Sequence, residues 1–546
     1  MEKIIDFKKQ TNSLIDELKS VCADAGLGND GNEYKIITEI FLYKFINDKF
    51  FYELKKIDKK LSNVEDCESY LKEITNKDYE ILMMRLNENV ARLKPTQFIS
   101  SIYKKQNDSN FSKIFDDNLI NIAKDNDNIF SQLTSGGKKI PIFESVSQYV
   151  RDNPDDFCKA VVNRLIGFSF EYFFETNQKF DFYASIFEYL IKDYNSNSGG
   201  TDYAEYFTPH SVSKIMALCI NTNKSKNVTC YDPASGSGTL LMNIAHAIGD
   251  NKCSIYSQDI SQKSSKFLRL NLILNNLVHS IPNAIQGNTI KDPYHKDIDK
   301  KLKQFDFIVS NPPFKTDFSE YRNDLDTNEN KDRFFAGIPK ITPKDPKKME
   351  IYLLFIQHII FSLSKKGKAA IVVPTGFLTS KSGIGKLIRE YLVENNILKG
   401  AISMPENIFA NTGTKVSVLF IDKQNKSENM TFIDATKLGK TIKDANKQKK
   451  TLLSIDDEKK IIDTFINNIA VNDFSVSVSK EDIINKKYSF SAGHYFEIKL
   501  NFTNISLKDF ENKNEIFKKD LSKLLKENQK IEEEIFLNLK KINYEN

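Results

Sequence analysis

Through much of the first 195 residues, hydrophobic positions recur three to five apart. From Glu33 to Lys56, Ile36, Ile37, Ile40, Phe41, Phe45 and Ile46 follow that spacing, which predicts an amphipathic helix. Residues 1–195 therefore read as an N-terminal helical domain. It closes on Asn195-Ser196-Asn197-Ser198-Gly199-Gly200, a small, polar, glycine-ended run of the kind that connects packed units. Beyond it the pattern changes. Short β-rich runs at Val228–Asp232, Ser254–Gln258, Phe305–Ser310, Ala369–Val373, Gly400–Met404 and Val416–Asp422 alternate with helical ones. That alternation predicts an α/β fold over residues 196–425, with a mostly parallel sheet covered on both faces. Near residue 425 the rhythm stops. Residues 426–546 read as a lysine- and asparagine-rich region leading into a long helix. Here Phe510, Phe517, Leu524 and Ile531 fall seven apart, and Leu521, Ile535 and Ile542 fit the second heptad position. Asn514 and Asn528 interrupt this pattern, which predicts a partner helix or packing on the core.

A chain of 546 residues with 40% hydrophobic content can fill two or three domain cores. No run of about 18 apolar residues occurs, and the opening Met1-Glu2-Lys3-Ile4-Ile5-Asp6 is too charged for a signal peptide. A cytoplasmic protein without membrane contact is expected. The six cysteines form no C-x-x-C pair, so neither a disulfide framework nor a metal site is indicated. The net charge of +5 permits nucleic-acid binding without arguing for it, and the abundance of Lys, Asn and Ile is what biased codon usage produces.

Chemistry concentrates at three strand ends. The run Val228–Asp232 leads into Asp232-Pro233-Ala234-Ser235-Gly236-Ser237-Gly238 and then a helical stretch from Thr239 to Ile248. Glycines at a strand-to-helix turn let backbone approach a bound molecule, although a plain tight turn is the bland reading, and the spacing is not G-x-G-x-x-G. The next strand ends in Asp259, placed where a carboxylate accepts hydrogen bonds from ribose hydroxyls or caps a helix starting near Ser261. The third, Phe305–Ser310, runs directly into Asn311-Pro312-Pro313-Phe314. An aromatic exocyclic amine is a poor nucleophile because its lone pair is delocalised. The Asn311 side-chain oxygen and the Pro312 carbonyl can accept both amine hydrogens and localise that pair, while Phe314 stacks on a base swung out of its duplex. The two prolines stiffen the turn. Upstream, Tyr206-Phe207-Thr208-Pro209-His210 precedes a helical run to Ile220, with Thr208 at the N-cap and Pro209 in the first turn. Capping alone accounts for both residues, and free amides at a helix start can also receive a carboxylate.

The ordered set Y-F-T-P, D-P-A-S-G-S-G, Gln258-Asp259, Gly287-Asn288-Thr289 and N-P-P-F resembles the adenine-specific modification subunits of type I restriction-modification systems. Phe355-Ile356-Gln357-His358, Gly367 to Pro374 and Asn411-Thr412-Gly413-Thr414-Lys415 resemble later blocks of that family, and the likeness covers roughly residues 1–430. It implies a seven-stranded Rossmann-like methyltransferase sheet with a helical N-terminal domain and a helical C-terminal tail. It implies S-adenosyl-L-methionine as cofactor, held by Glu205, Tyr206, Phe207, Thr208, Pro209, His210, Asp232, Ser235, Gly236, Ser237, Gly238 and Asp259. Asn311, Pro312, Pro313 and Phe314 would be catalytic. Asn288 stands where relatives often carry an acid facing the cofactor's adenine amine. In such systems double-stranded DNA is the substrate, a separate specificity subunit reads the target, and an ATP-dependent restriction subunit is a further partner. Two rival readings are methylation of RNA or of protein glutamine by the same fold, and a silent DNA-binding assembly subunit.

Overall fold

The computed structural model describes residues 2–28, 32–57, 61, 64–175, 189, 208–221, 226–341, 344–409, 414–443, 449–496 and 505–540. Met1–Tyr495 form one compact unit and Phe496–Asn546 a second. The glycine-ended segment 195–200 and the site candidates Glu205, Tyr206 and Phe207 lie outside the described residues.

The helix expected from Glu33 is Glu33–Ile57, but it is buried on nearly every side rather than along one stripe. Its polar residues go inside with partners. Lys44 pairs with Asp48 at 2.9 Å, Asn47 Oδ1 accepts the Ile99 amide, and Glu39 meets Lys266 at 3.0 Å. A periodic pattern marks the most apolar face of such a helix and is silent about neighbours that cover the others. Here helices Glu2–Asp24, Val64–Glu73, Glu171–Glu175 and Gln262–Leu274 all pack against it.

Thirteen strands are described. They are β1 (Gln132–Thr134), β2 (Lys139–Ile140), β3 (Val228–Asp232), β4 (Cys253–Asp259), β5 (Ala284–Gln286), β6 (Phe305–Ser310) and β7 (Leu363–Pro374), followed by β8 (Leu398–Ser403), β9 (Val416–Asp422), β10 (Asn429–Asp434), β11 (Lys440–Lys443), β12 (Lys449–Leu452) and β13 (Ser475–Ser479). Eleven form one sheet in the order β13-β10-β8-β9-β7-β6-β3-β4-β5-β1-β2, with β11 and β12 a separate hairpin. The expected seven strands are its centre, β5-β4-β3-β6-β7-β9-β8. All are parallel except β9, which runs opposite to β7 and β8. From β3 the chain moves outward to β4 and β5, then returns to β6 on the other side of β3. The carboxyl ends of β3 and β6 therefore border the topological switch point, where open parallel sheets leave a crevice.

Both borders drawn from the sequence are crossed by this sheet. The N-terminal region is not wholly helical, because β1 pairs in parallel with β5 and β2 extends that edge. Nor does the sheet stop at 425. β10 adds in parallel to β8, and β13 pairs antiparallel with β10. These strands are two to six residues long, too short for a periodicity to emerge, and β10 lies among lysines and asparagines. The second unit is helix Leu507–Lys540, whose heptad residues Phe510, Phe517, Leu521, Leu524, Ile531 and Ile535 are all exposed.

Candidate active site

The loop from Asp232 to Gly238 turns between β3 and helix Thr239–Ile248 by placing Gly236 at φ +52° and Gly238 at φ +83°. Gly238 also meets a neighbour closely, since a Cβ there would lie 2.3 Å from Leu268 Cδ1. At the head of the loop Asp232 is buried. Its Oδ1 accepts the Ala234 amide at 3.0 Å and the Ser310 hydroxyl at 2.8 Å, which ties the end of β3 to the end of β6. Burial, with Asp259 nearby, pushes the Asp232 carboxyl up to about 7. Asp232 Oδ2 and Ser235 Oγ are buried without a hydrogen-bond partner among the described residues. Orphaned polar atoms of this kind suit a polar ligand group or water as their partner. The Ser237 carbonyl is held by Asn271 Nδ2 at 2.8 Å, and its hydroxyl lies 3.2 Å from that of Thr239.

Asp259, at the end of β4, does not cap the following helix. Ser261 does so, its hydroxyl accepting the Ser264 amide. Asp259 instead accepts the Gly236 and Ser261 amides, one on each oxygen at 2.8 Å, and so bridges two strand-end loops. Burial raises its pKa as well. Asn288 Oδ1 accepts the amides of Ile290 and Lys291 at 3.1 Å and braces its own turn. Thr289 Oγ1 donates to the Pro233 carbonyl at 2.6 Å, joining that turn to the glycine loop.

Thr208 is not the N-cap expected from the sequence. The helix is His210–Ile220 with Pro209 in the cap position, and the first helical bond runs from the Ser213 amide to the Pro209 carbonyl. This one-residue shift frees the buried Thr208 side chain, whose Oγ1 accepts from Asn311 Nδ2 at 3.1 Å. Asn311 is thereby oriented, its amine side occupied and its Oδ1 without a hydrogen bond among the described residues. His210 Nδ1 lies 3.4 Å from Asn243 Nδ2 on the helix that follows the glycine loop.

Beyond Asn311 opens a cavity of about 1050 Å³. Its wall includes Asn311, Pro312, Phe314, Tyr352, Phe377 and Phe409. Phe314 and Tyr352 meet edge to face at 6.1 Å, as do Tyr352 and Phe377 at 6.3 Å. Lys315, Lys340, Lys348 and Glu350 also line it, three cations against one acid. Sequence reasoning singled out Phe314 and missed the other aromatics, which are dispersed from 352 to 409 with no local signature.

It also missed Arg333. This buried guanidinium donates to His358 Nδ1 at 3.0 Å and to the carbonyls of Ile290 and Thr289, each at 2.9 Å. Gln357 accepts the Ala336 amide and donates to the Gly337 carbonyl. The Gln357-His358 pair thus secures the segment after Phe314 against the turn that carries Asn288.

Three strand-end loops carrying buried acids thus stand beside an asparagine that lines an aromatic cavity. Residues 178–501 match the N-6 DNA methylase family. The chain belongs to the N-6 DNA methylase family. It is 29% identical over 332 residues to the type I restriction enzyme MpnII methylase subunit of Mycoplasma pneumoniae, covering 59% of this chain and 58% of that one. It is 27% identical over 379 residues to the MjaIX methylase subunit of Methanocaldococcus jannaschii, covering 65% and 62%. The alignments thus span about three fifths of these relatives. A type I restriction-modification methyltransferase subunit from Streptococcus thermophilus superimposes with TM-score 0.71 at 19% identity, over 90% of this chain and 100% of that chain. The fold of this family member is accordingly that of the Streptococcus thermophilus subunit, a mostly parallel Rossmann-like sheet with a helical N-terminal region. None of its described helices is long and apolar enough to cross a membrane.

Proposed function

We propose that this chain methylates the exocyclic amine of adenine in double-stranded DNA, as the modification subunit of a type I restriction-modification complex. The observation that carries this reading is Asn311. With Nδ2 donated to Thr208, its Oδ1 is left as an acceptor on a residue that lines the aromatic cavity. S-adenosylmethionine supplies an electrophilic methyl group on a sulfonium. Asp259 would hold its ribose, Asn288 its adenine, and Asp232 with Ser235 to Gly238 the remainder. Thr208, Pro209 and His210 would border its methionine end, together with Glu205, Tyr206 and Phe207. Asn311 Oδ1 and the Pro312 carbonyl accept the two amine hydrogens, which turns the nitrogen lone pair out of conjugation and toward the methyl carbon. Phe314 stacks on the extruded adenine, and Pro312 and Pro313 keep the turn from yielding. On this reading the sulfonium would supply the methyl carbon, its S–C electron pair staying on sulfur, while Asn311 and Pro312 would hold the amine as one of its protons passes to water.

A specificity subunit would read the DNA target and an ATP-dependent nuclease subunit would complete the restriction activity. The exposed heptad of helix Leu507–Lys540 supports docking of the specificity subunit. The test is mass spectrometry of DNA nucleosides from cells expressing the chain with its genomic neighbours, against the same set carrying Asn311→Ala. Methylated adenine that disappears in the variant is the expected result. Its absence from both samples, with the complex assembled, would move the substrate to RNA or protein glutamine.

A further inference from the structure

The helical region adds a strand to the catalytic sheet, and the loop after that strand opens at the same edge as the crevice loops. β1 pairs in parallel with β5 (Thr134↔Gln286), and β5 with β4 (Asp259↔Gln286), so Thr134, Gln286 and Asp259 stand in one row. The next amides continue the ladder. Ser135 N donates to the Gln286 carbonyl and Gly287 N to the Asp259 carbonyl, both at 2.8 Å. Ser135-Gly136-Gly137 is therefore another strand-end loop, beside the ends of β4 and β5.

Ser135 lies directly against Gly287. A Cβ built on Gly287 would be 2.6 Å from Ser135 Oγ and 2.7 Å from its Cβ. No side chain fits at 287 because a residue from the N-terminal region occupies the space. The Ser135 hydroxyl has no hydrogen-bond partner among the described residues, whereas Thr134 fixes the loop through bonds from Gly137 N and Lys138 N. The placement is firm. Arg269 donates to the carbonyls of Ile140 and Pro141 at 3.1 and 2.7 Å, and Lys266 bridges Glu39 and Glu144 at 3.0 and 3.1 Å. Both cations sit on helix Gln262–Leu274, the helix that also holds Ser237 through Asn271 and packs Leu268 on Gly238.

We propose that Ser135 is a cofactor-binding residue, its hydroxyl bonding the adenosine half of the cofactor between Asp259 and Asn288. The N-terminal region then completes the cofactor site rather than only packing beside it. This rests on the reading of Asp259 as the ribose acid. It is tested by calorimetry of S-adenosylhomocysteine binding to the full chain, with thermal melting of the ligand-free proteins alongside. Ser135→Ala should weaken binding about threefold to tenfold, the cost of one lost hydrogen bond, with an unchanged melting temperature. Ser135→Thr, which keeps the hydroxyl, should restore affinity. Normal affinity in Ser135→Ala beside weakened binding in Asp259→Ala would overturn the inference alone. A fall in melting temperature matching the affinity loss would also overturn it, by making Ser135 structural. Normal binding by Asp259→Ala would overturn the reading beneath it.

Discussion

The two halves of the cleft are made of different materials. The half proposed for the cofactor is built mainly of strand-end loops: a glycine turn, amides, carbonyls and two carboxylates whose pKa burial raises. The half proposed for the acceptor base is long-range and built of side chains, with aromatic residues from 314 to 409, one asparagine and three lysines in its lining. A cofactor of fixed shape can be met by a rigid loop of small residues. A base that must leave its duplex needs a larger cavity, faces to stack on and cations for the flanking phosphates.

If the halves divide the work in this way, a substitution in one should leave the other intact. The largest effect is expected for Asn311→Ala. Loss of a preorganised group aimed at the transition state lowers turnover by about 10³-fold. Binding of S-adenosylhomocysteine, measured by calorimetry, should stay as in the parent chain. A proportional loss of both would break the division.

The reverse experiment is Gly238→Val. A branched residue forced to φ +83°, with a Cβ 2.3 Å from Leu268, strains the loop and shifts helix Gln262–Leu274. Strain of this type costs about 1–3 kcal/mol, so cofactor affinity should fall about 10- to 100-fold. Turnover at saturating cofactor should change much less, as a rapid-quench assay of methyl transfer can establish.

The same contrast explains what was legible from the sequence. β3, β6 and β9, the helix Thr239–Ile248, the glycine loop, Asp259 and Asn311 were all visible, because each is specified by residues next to one another in the chain. β1, β5 and β10 were not, being too short to show alternation and held by pairing with partners such as Gln286 and Gly400. Arg333, Tyr352 and Phe377 were missed because a buried cation or an aromatic wall acquires its meaning only from residues distant in sequence. For Thr208, a one-residue error in the helix start hid its contact with Asn311.

Within the cofactor half, Asp232 sets a pH dependence. Its folded-state pKa of about 7 lies above the ordinary carboxylate value, so its contribution to the stability of the ligand-free fold is complete at low pH and is lost as pH rises toward 7. A sulfonium held near Asp232, as proposed above, would favour the ionised form, so affinity for S-adenosylmethionine should move the other way. From pH 6 to pH 8 the linkage gives an increase of about tenfold in the parent chain. Asp232→Asn keeps an Oδ1 for the Ala234 amide and the Ser310 hydroxyl but cannot ionise, and its affinity should lose that rise. Equal slopes for the two proteins would remove Asp232 from the linkage.

The smallest effect is also the most discriminating, because it separates two roles for one residue. The family resemblance puts Thr208 among the cofactor contacts, whereas its hydroxyl accepts a hydrogen bond from Asn311 at 3.1 Å. Thr208→Val preserves shape and removes only the hydroxyl. If Thr208 orients Asn311, the amide loses its anchor and rotates among states in which Nδ2 and Oδ1 exchange places. Turnover should then drop by about fivefold, the equivalent of one hydrogen bond of about 1 kcal/mol, with cofactor affinity unaltered. If Thr208 serves the cofactor, the affinity falls by that factor and saturating cofactor restores turnover. The two constants measured on one variant decide whether this threonine belongs to the backbone-built half of the cleft or to the side-chain-built half.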